Sequence, residues 1–315
     1  MFLSVVVPCY NEEDVVEEFY TVVSKIIEEN DKFTKHEFVF IDDGSKDKTL
    51  EIIKNLREKD ESVRFVSFSR NFGKEAGIYA GLKESRGELV VLIDADLQHP
   101  PEIMGEMAEK IINENYDSVG AVRENRDGEG KIRSFLSRTF YKFINSISDT
   151  QIVENSTDYR MMSRQFVNSV LDLSEYNRFT KGIFCWVGFN NAEIKYKNIE
   201  RKSGNSKWSF NKLFKYSIEG IVSFSTFPLV LSSFLGILCF VVSFVMLILY
   251  FMKFIIFGEV VKGFPTLICS MFFLGGIQLL CIGILGQYLS RSYLEVKNRP
   301  IYIPKETSEE LNKYK

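Results

Sequence analysis

This 315-residue sequence predicts an α/β domain built on a doubly wound, mostly parallel sheet, followed by an interfacial amphipathic helix and a two-helix transmembrane hairpin. Three observations predict it. Short β-rich apolar runs alternate with helix-periodic stretches over residues 1–120, the pattern of a parallel sheet with right-handed crossovers. Two runs, 226–252 and 264–290, each of 27 residues, contain no Asp, Glu, Lys or Arg. The charge is also split by sign: residues 1–200 carry 26 basic and 36 acidic side chains, net −10, whereas 201–315 carry 13 and 6, net +7.

The elements run in order along the chain. Residues 2–8 (FLSVVVP), 38–42 (FVFID), 63–68 (VRFVSF) and 89–94 (LVVLID) read as strands buried on both faces. Residues 12–30, 48–60 and 74–85 have helical length and periodicity. A soluble domain over 1–200 is expected. Residues 201–225 form a juxtamembrane segment, in which 208–224 (WSFNKLFKYSIEGIVSF) mix Lys212 and Lys215 with apolar residues at near-helical spacing. That pattern suits a helix in the headgroup plane or a packed linker helix. Each charge-free run exceeds the roughly 20 residues a membrane crossing needs. With only 253–263 between them, the runs should form a hairpin over 226–290, leaving a tail at 291–315. Arg201, Lys202, Lys207, Lys212 and Lys215 precede the hairpin and Arg291, Lys297 and Arg299 come after it; the connection offers only Lys253 and Lys262. The positive-inside rule then puts both termini and the soluble domain in the cytoplasm.

Composition excludes some functions. A net charge of −3 is unlike a broadly basic nucleic-acid binder, and 45% hydrophobic content is unlike a disordered chain. The apolar run at 2–7 is short and soon followed by acids, so no signal peptide is read there. Five cysteines without a CxxC pair indicate neither a disulfide framework nor a zinc site, and fit a reducing compartment.

The chemistry-bearing residues gather after strands, where open α/β sheets bind ligands. The first strand runs into Pro8-Cys9-Tyr10-Asn11-Glu12, the second into Asp42-Asp43-Gly44-Ser45 and the fourth into Asp94-Ala95-Asp96. Neither GxGxxG after the first strand nor GxxxxGK[ST] anywhere is present, so a glycine cradle does not hold the phosphates. Carboxylates at that edge point instead to a divalent cation. In the Asp94-x-Asp96 spacing both side chains lie on one side of the chain and can share Mg²⁺ or Mn²⁺, hard cations that keep waters and bridge to phosphates. Two solvated loop acids are the alternative. His99, with Pro100 and Pro101 after it, reads as a structural loop residue in preference to a ligand.

VVVPCYNEE, FVFIDDGSKDKT, SRNFGKEAGIYAGL and LIDADLQHPPE, in this order, resemble the family 2 glycosyltransferases of the GT-A fold. With DYRMMSR, RKSGNSKWSF and the hairpin, nearly the whole chain resembles bacterial polyprenyl-phosphate glycosyltransferases, the bactoprenol glucosyltransferases and dolichol-phosphate mannose synthase relatives. The resemblance implies that Pro8, Tyr10, Asn11 and Glu12 line the nucleoside, that Asp42 faces the base, and that Lys74 reaches the donor. Asp94, Asp96 and Gln98 match the family's metal and diphosphate site. Arg123 and Arg133 match its arginines near the diphosphate and acceptor phosphate, with Arg126 and Arg138 as alternatives; the planar guanidinium suits phosphate oxygens. Residues 120–131 have the composition of a mobile active-site loop. Asp158 sits where the family places a presumed base. A lipid monophosphate is already an anion, so Asp158 is expected to position metal, phosphate or sugar hydroxyls, with a true base or a buried partner of Arg160 as alternatives. Arg201, Ser203, Ser206 and Lys207, beside Lys202, suit an acceptor phosphate at headgroup depth. Residues 178–188 (RFTKGIFCWVG) are expected to wall the sugar site, and they lack the QxxRW pattern of processive members.

The implied activity is inverting transfer of one hexose, glucose from UDP-glucose, onto undecaprenyl or another polyprenyl phosphate, with Mg²⁺ or Mn²⁺ as cofactor, at the bacterial cytoplasmic membrane. UDP-N-acetylglucosamine, GDP-mannose or an aminoarabinose-type donor would keep the same fold. A separate flippase, a downstream glycosyltransferase and a homo-oligomer complete the implied partners. Two rivals are a catalytically silent nucleotide-sugar-binding scaffold and a transporter component. Asp94, Asp96, Arg123 and Asp158 together oppose the first, and spans without charged residues oppose the second.

Overall fold

The computed structural model describes residues 1–124, 156–196, 227–257 and 263–309. They fall into two compact units: an α/β unit that includes residues C-terminal to the hairpin, and a helical unit.

The α/β unit holds an eight-stranded sheet. Its strands are β1 (Phe2–Cys9), β2 (Lys35–Asp42), β3 (Val63–Phe68), β4 (Leu89–Leu92), β5 (Ser118–Arg123), β6 (Ser156–Ser163), β7 (Asn191–Tyr196) and β8 (Pro304–Thr307), in the order β7-β5-β6-β4-β1-β2-β3-β8. The β4-β1-β2-β3 core is parallel, as the strand–helix alternation predicts. β6 enters antiparallel between β4 and β5, and β8 closes the other edge antiparallel to β3. Strand order reverses beside β1, whose neighbours are β2 on one side and β4 on the other.

The helices are amphipathic where they cover the sheet. α1 (Val16–Glu28) buries Val16, Phe19, Val23 and Ile27, one helical stripe, against Phe38 and Phe40 of β2 and their neighbours. α2 (Thr49–Lys59) and α4 (Met104–Glu114) repeat the pattern with Ile53, Leu56, Met104 and Met107. α3 (Lys74–Glu84) differs: Gly77 and Gly81 bring its backbone against Pro8 and Val6, so almost every central residue is buried. α5 (Arg164–Asp172) starts from a Ser163 cap whose hydroxyl accepts the Phe166 N–H at 3.2 Å, and α6 (Thr180–Trp186) comes next.

The helical unit consists of α7 (Phe227–Phe257) and α8 (Phe264–Val296). Both are long and apolar enough to cross a membrane. Phe240 and Phe272 are 70% and 79% exposed, a surface that water would not tolerate over such lengths but lipid does. The two helices meet near Ser232 and Cys281, where the thiol donates to the Ser232 carbonyl at 3.6 Å. The expected juxtamembrane segment at 201–225 lies outside the described residues.

Residues 291–315 give no sequence signal beyond a tail, yet they contain β8. Around it, Tyr302 stacks on Phe68 with centroids 4.8 Å apart, Ser308 accepts the Phe65 N–H at 3.2 Å, Glu306 pairs with Lys54, and Glu309 lies 3.0 Å from Arg64. This edge strand is too short and too polar to announce itself; only the exposed edge of β3 gives it a partner.

Candidate active site

The candidate site lies at the C-terminal edge of β1, β2 and β4. After β1, Asn11 takes a left-handed conformation (φ 54°), which asparagine tolerates. Its N–H donates to the Ser45 hydroxyl at 3.0 Å, and its side-chain oxygen accepts the Lys46 N–H at 2.9 Å. The Glu12 N–H donates to the Thr49 hydroxyl at 2.8 Å. The loops after β1 and β2 are therefore stitched together, with Pro8, Tyr10, Asn11 and Glu12 half-buried along one rim. Asp42 reaches the expected edge but turns inward. It is 1% exposed, and it accepts the Ser45 N–H at 3.0 Å and the Ser67 hydroxyl at 2.7 Å. In this arrangement it holds the turn.

Asp43, its neighbour in the acidic cluster after β2, has a role that the cluster alone does not give. It accepts the Phe72 and Gly73 N–H groups at 2.6 and 2.9 Å, tying β2 to the loop before α3. Burial raises its pKa, and those two bonds act against that shift. Gly73 then enters α3 with φ 99°, a conformation that favours glycine, and Lys74 becomes the first residue of the helix.

Lys74 is the centre of the site. Its Nζ lies 2.8 Å from Asp94 Oδ1 and 2.6 Å from Asp158 Oδ2. Sheet register explains why these two acids meet. Leu92 of β4 pairs with Arg160 of β6, and because the strands are antiparallel, two further residues on each bring Asp94 beside Asp158. Lys181, the second residue of α6, approaches Asp158 Oδ1 at 4.0 Å. Burial alone would raise the pKa of both acids, but for each Lys74 reverses the sign, so both stay ionised; His99 assists at Asp94 and Lys181 at Asp158. Asp158 thus holds its charge beside the Lys74 ammonium. The alternative pairing with Arg160 is not formed: that guanidinium donates to Ser118 and to Asn191 Oδ1 and lies over the Phe184 ring.

Asp96 and Gln98 are half-buried on the same loop, where the Gln98 N–H donates to Asp96 Oδ1 at 3.1 Å. Between them Leu97 sits at φ 51°, an unusual conformation for a bulky residue and a sign that the loop is held under constraint. His99 packs inside the loop, with its Nε2 3.8 Å from Asp94 Oδ2. It is 4% exposed and packs against the Tyr159 and Tyr196 rings; its Nδ1 lies 2.7 Å from the Tyr196 hydroxyl. Arg123 donates from Nε to that same hydroxyl at 3.2 Å, so Tyr196 links the end of β5 to the loop after β4. Arg126, Arg133 and Arg138, the rest of the 120–131 segment beyond Glu124, and Arg201, Lys202, Ser203, Ser206 and Lys207 lie outside the described residues.

Among the described residues, no three His, Cys, Asp or Glu side chains form a ready-made metal cage. The donor chemistry nevertheless fits a hard divalent cation. Asp94 and Asp158 already bracket one cation, the Lys74 ammonium, and Asp96 lies two residues from Asp94. A cation held by one or two carboxylates completes its shell with water and substrate phosphate.

Residues 4–171 match the model of glycosyl transferase family 2. The chain belongs to that family. CsbB of Bacillus subtilis is 45% identical over 306 residues, covering 97% of this chain and 92% of that one. The SfII prophage-derived bactoprenol glucosyl transferase of Shigella flexneri is 43% identical over 307 residues, 98% of each chain. Among solved structures, mannosyl-3-phosphoglycerate synthase from Rubrobacter xylanophilus matches with a TM-score of 0.50 at 17% identity, covering 70% of this chain and 72% of that one. That likeness concerns the fold, and it bears out the expected GT-A architecture. The family 2 glycosyltransferase therefore carries its acidic loops where such sheets bind ligands. Sequence reasoning missed Glu75 and Tyr196 as site-shaping residues, and gave Asp43 and Lys181 no role of their own within the segments it named. Their partners are distant in sequence, so no local pattern marks them.

Proposed function

We propose that this protein transfers a glucosyl group from UDP-glucose to a polyprenyl phosphate, undecaprenyl phosphate in a bacterium, giving a lipid-phosphate-linked sugar. The observation that carries the reading is the 43% identity with a bactoprenol glucosyl transferase across 98% of both chains, soluble domain and hairpin alike. Two apolar helices suit a substrate that never leaves the bilayer. A separate flippase and a downstream transferase would carry the product onward, and self-association remains part of the reading.

Pro8, Tyr10, Asn11 and Glu12 would line the nucleoside, with Asp42 keeping the Ser45 turn in place behind them. Asp94, Asp96 and Gln98 would hold Mg²⁺ or Mn²⁺ against the diphosphate. The bound cation would supply neutralisation of the leaving group's charge. Arg123, with Arg133, would bind phosphate oxygens, and Arg201, Ser203, Ser206 and Lys207 would receive the acceptor at the headgroup level. A phosphate oxygen of the lipid attacks the anomeric carbon; the bond from that carbon to the diphosphate oxygen breaks, and UDP departs. The attacking oxygen carries no proton at neutral pH, so alignment and charge matter more than a base. This agrees with an Asp158 whose charge is stabilised between two lysines.

The topology belongs to the same reading. β8 comes after the hairpin in sequence but joins the sheet of β1–β7, so the chain should leave and return on one side of the membrane. Basic flanks support the cytoplasm as that side.

The test is lipid-phase chromatography of the detergent-solubilised protein with undecaprenyl phosphate, Mg²⁺ or Mn²⁺ and a panel of labelled UDP- and GDP-sugars. Label from UDP-glucose in the lipid is expected, and label from another donor alone would replace the sugar. Asp96→Asn should abolish both transfer and metal-dependent donor binding while leaving membrane insertion intact. Near-normal turnover of that variant would remove the metal assignment.

A further inference from the structure

We propose that Lys74 is a built-in counter-cation: it occupies the Asp94–Asp158 carboxylate pair until the donor arrives, so that the divalent cation binds only together with the nucleoside diphosphate. The inference rests on the metal-dependent reading of the site and adds an order of events to it.

Three observations carry it. Lys74 Nζ is within 2.8 Å of both carboxylates at once, bridging the loop after β4 and strand β6. Its position is imposed by structure on either side: Asp43 clamps the preceding loop, Gly73 supplies the φ 99° entry into α3, and the helix itself holds the chain from Glu75 onward. A second ammonium, Lys181, lies 4.0 Å from Asp158. Lys74 and Lys181 offset the charge of Asp94 and Asp158, so a bare divalent cation gains less from these two carboxylates and meets like charge. A diphosphate changes that balance. It brings oxygens for the cation's open positions and offers Lys74 an anion to replace its carboxylates. The lysine side chain, flexible and able to reorient its three N–H donors, suits such an exchange better than arginine's planar fork.

A merely structural Lys74 would make the opposite prediction. If the lysine only held the loops together, its removal would loosen the site and weaken metal binding. If it excludes the cation, its removal leaves Asp94 without its ammonium and Asp158 with only Lys181 at 4.0 Å, and strengthens binding of the metal alone.

The experiment is Mn²⁺ titration of the full-length, detergent-solubilised protein, with free Mn²⁺ followed by electron paramagnetic resonance, with and without UDP. Lys74→Met should bind Mn²⁺ alone at least about tenfold more tightly than the wild type, equivalent to about 1.4 kcal/mol. Lys74→Arg, which keeps a cation between the acids, should bind it as weakly as the wild type. In the wild type, UDP should tighten Mn²⁺ binding by about tenfold or more, and this coupling should shrink in Lys74→Met. Equal or weaker Mn²⁺ binding by Lys74→Met, with wild-type binding in the presence of UDP intact, overturns the counter-cation alone. No Mn²⁺ binding by the wild type even with UDP overturns the metal reading and this inference with it. Should Lys74→Met fail to fold, the wild type still decides: identical Mn²⁺ affinity with and without UDP overturns the proposal.

Discussion

Glu75 shows how single residues around the site trade stability for position. Its carboxylate reaches from the start of α3 to the start of α6, accepting the Thr180 N–H at 3.0 Å and the Thr180 hydroxyl. Burial raises its pKa; the Thr180 bonds and Lys74 act against the shift without cancelling it. A carboxyl whose folded pKa exceeds its unfolded value of about 4.3 costs stability once ionised. The cost is absent below that value, grows as pH rises and is complete above the folded pKa. Glu75→Gln keeps an acceptor for Thr180 but cannot ionise. Its melting temperature relative to wild type should therefore climb from pH 4 upward and then level off. A difference that is flat with pH, or falls, would contradict the assignment.

Among the elements, α3 places the site because it lies unusually close to the sheet. A Cβ at Gly81 would come within 2.2 Å of Val6 Cγ1 and 3.4 Å of Ile41 Cγ1, both on fully buried side chains. Gly81→Ala should push the helix off β1 and β2 at a cost of about 1–3 kcal/mol. Because the same helix begins with Lys74, donor binding should weaken along with thermal stability. Urea unfolding and UDP titration measure the two effects, and an unperturbed variant would show that the helix has room to spare. β6 has a comparable positioning role: its antiparallel insertion beside β4 is what pairs Asp158 with Asp94.

At the scale of the chain, a strand from beyond the hairpin closes the β3 edge of the α/β unit. Truncation after Asn298 would remove β8, the Tyr302–Phe68 stack, and the Glu306 and Glu309 ion pairs. The edge of β3 would be left unpaired, a template for aggregation. The expected result is a loss of about 2 kcal/mol or more, from the aromatic stack and buried hydrogen bonds together, and soluble aggregates on size exclusion. A monodisperse truncation with unchanged melting would show that β8 is dispensable.

How far the sequence reached depends on the range of the forces involved. The four parallel strands, the first three helices and the apolar hairpin are written locally, in periodicity and in the absence of charge, so they are legible without a partner. The acidic loops are legible too, because chain direction in a parallel sheet brings them to one edge. Asp42 was placed at that edge, yet its inward turn toward Ser67 depends on β3. The Lys74 bridge, the Glu75–Thr180 clasp, the Arg123–Tyr196–His99 link and β8 join residues 20 to more than 200 positions apart. The sequence by itself determined which groups could do chemistry and on which side of the sheet they emerge. The tertiary structure decided which charges face each other, because an ion pair depends on distance in space, and register and packing alone set that distance.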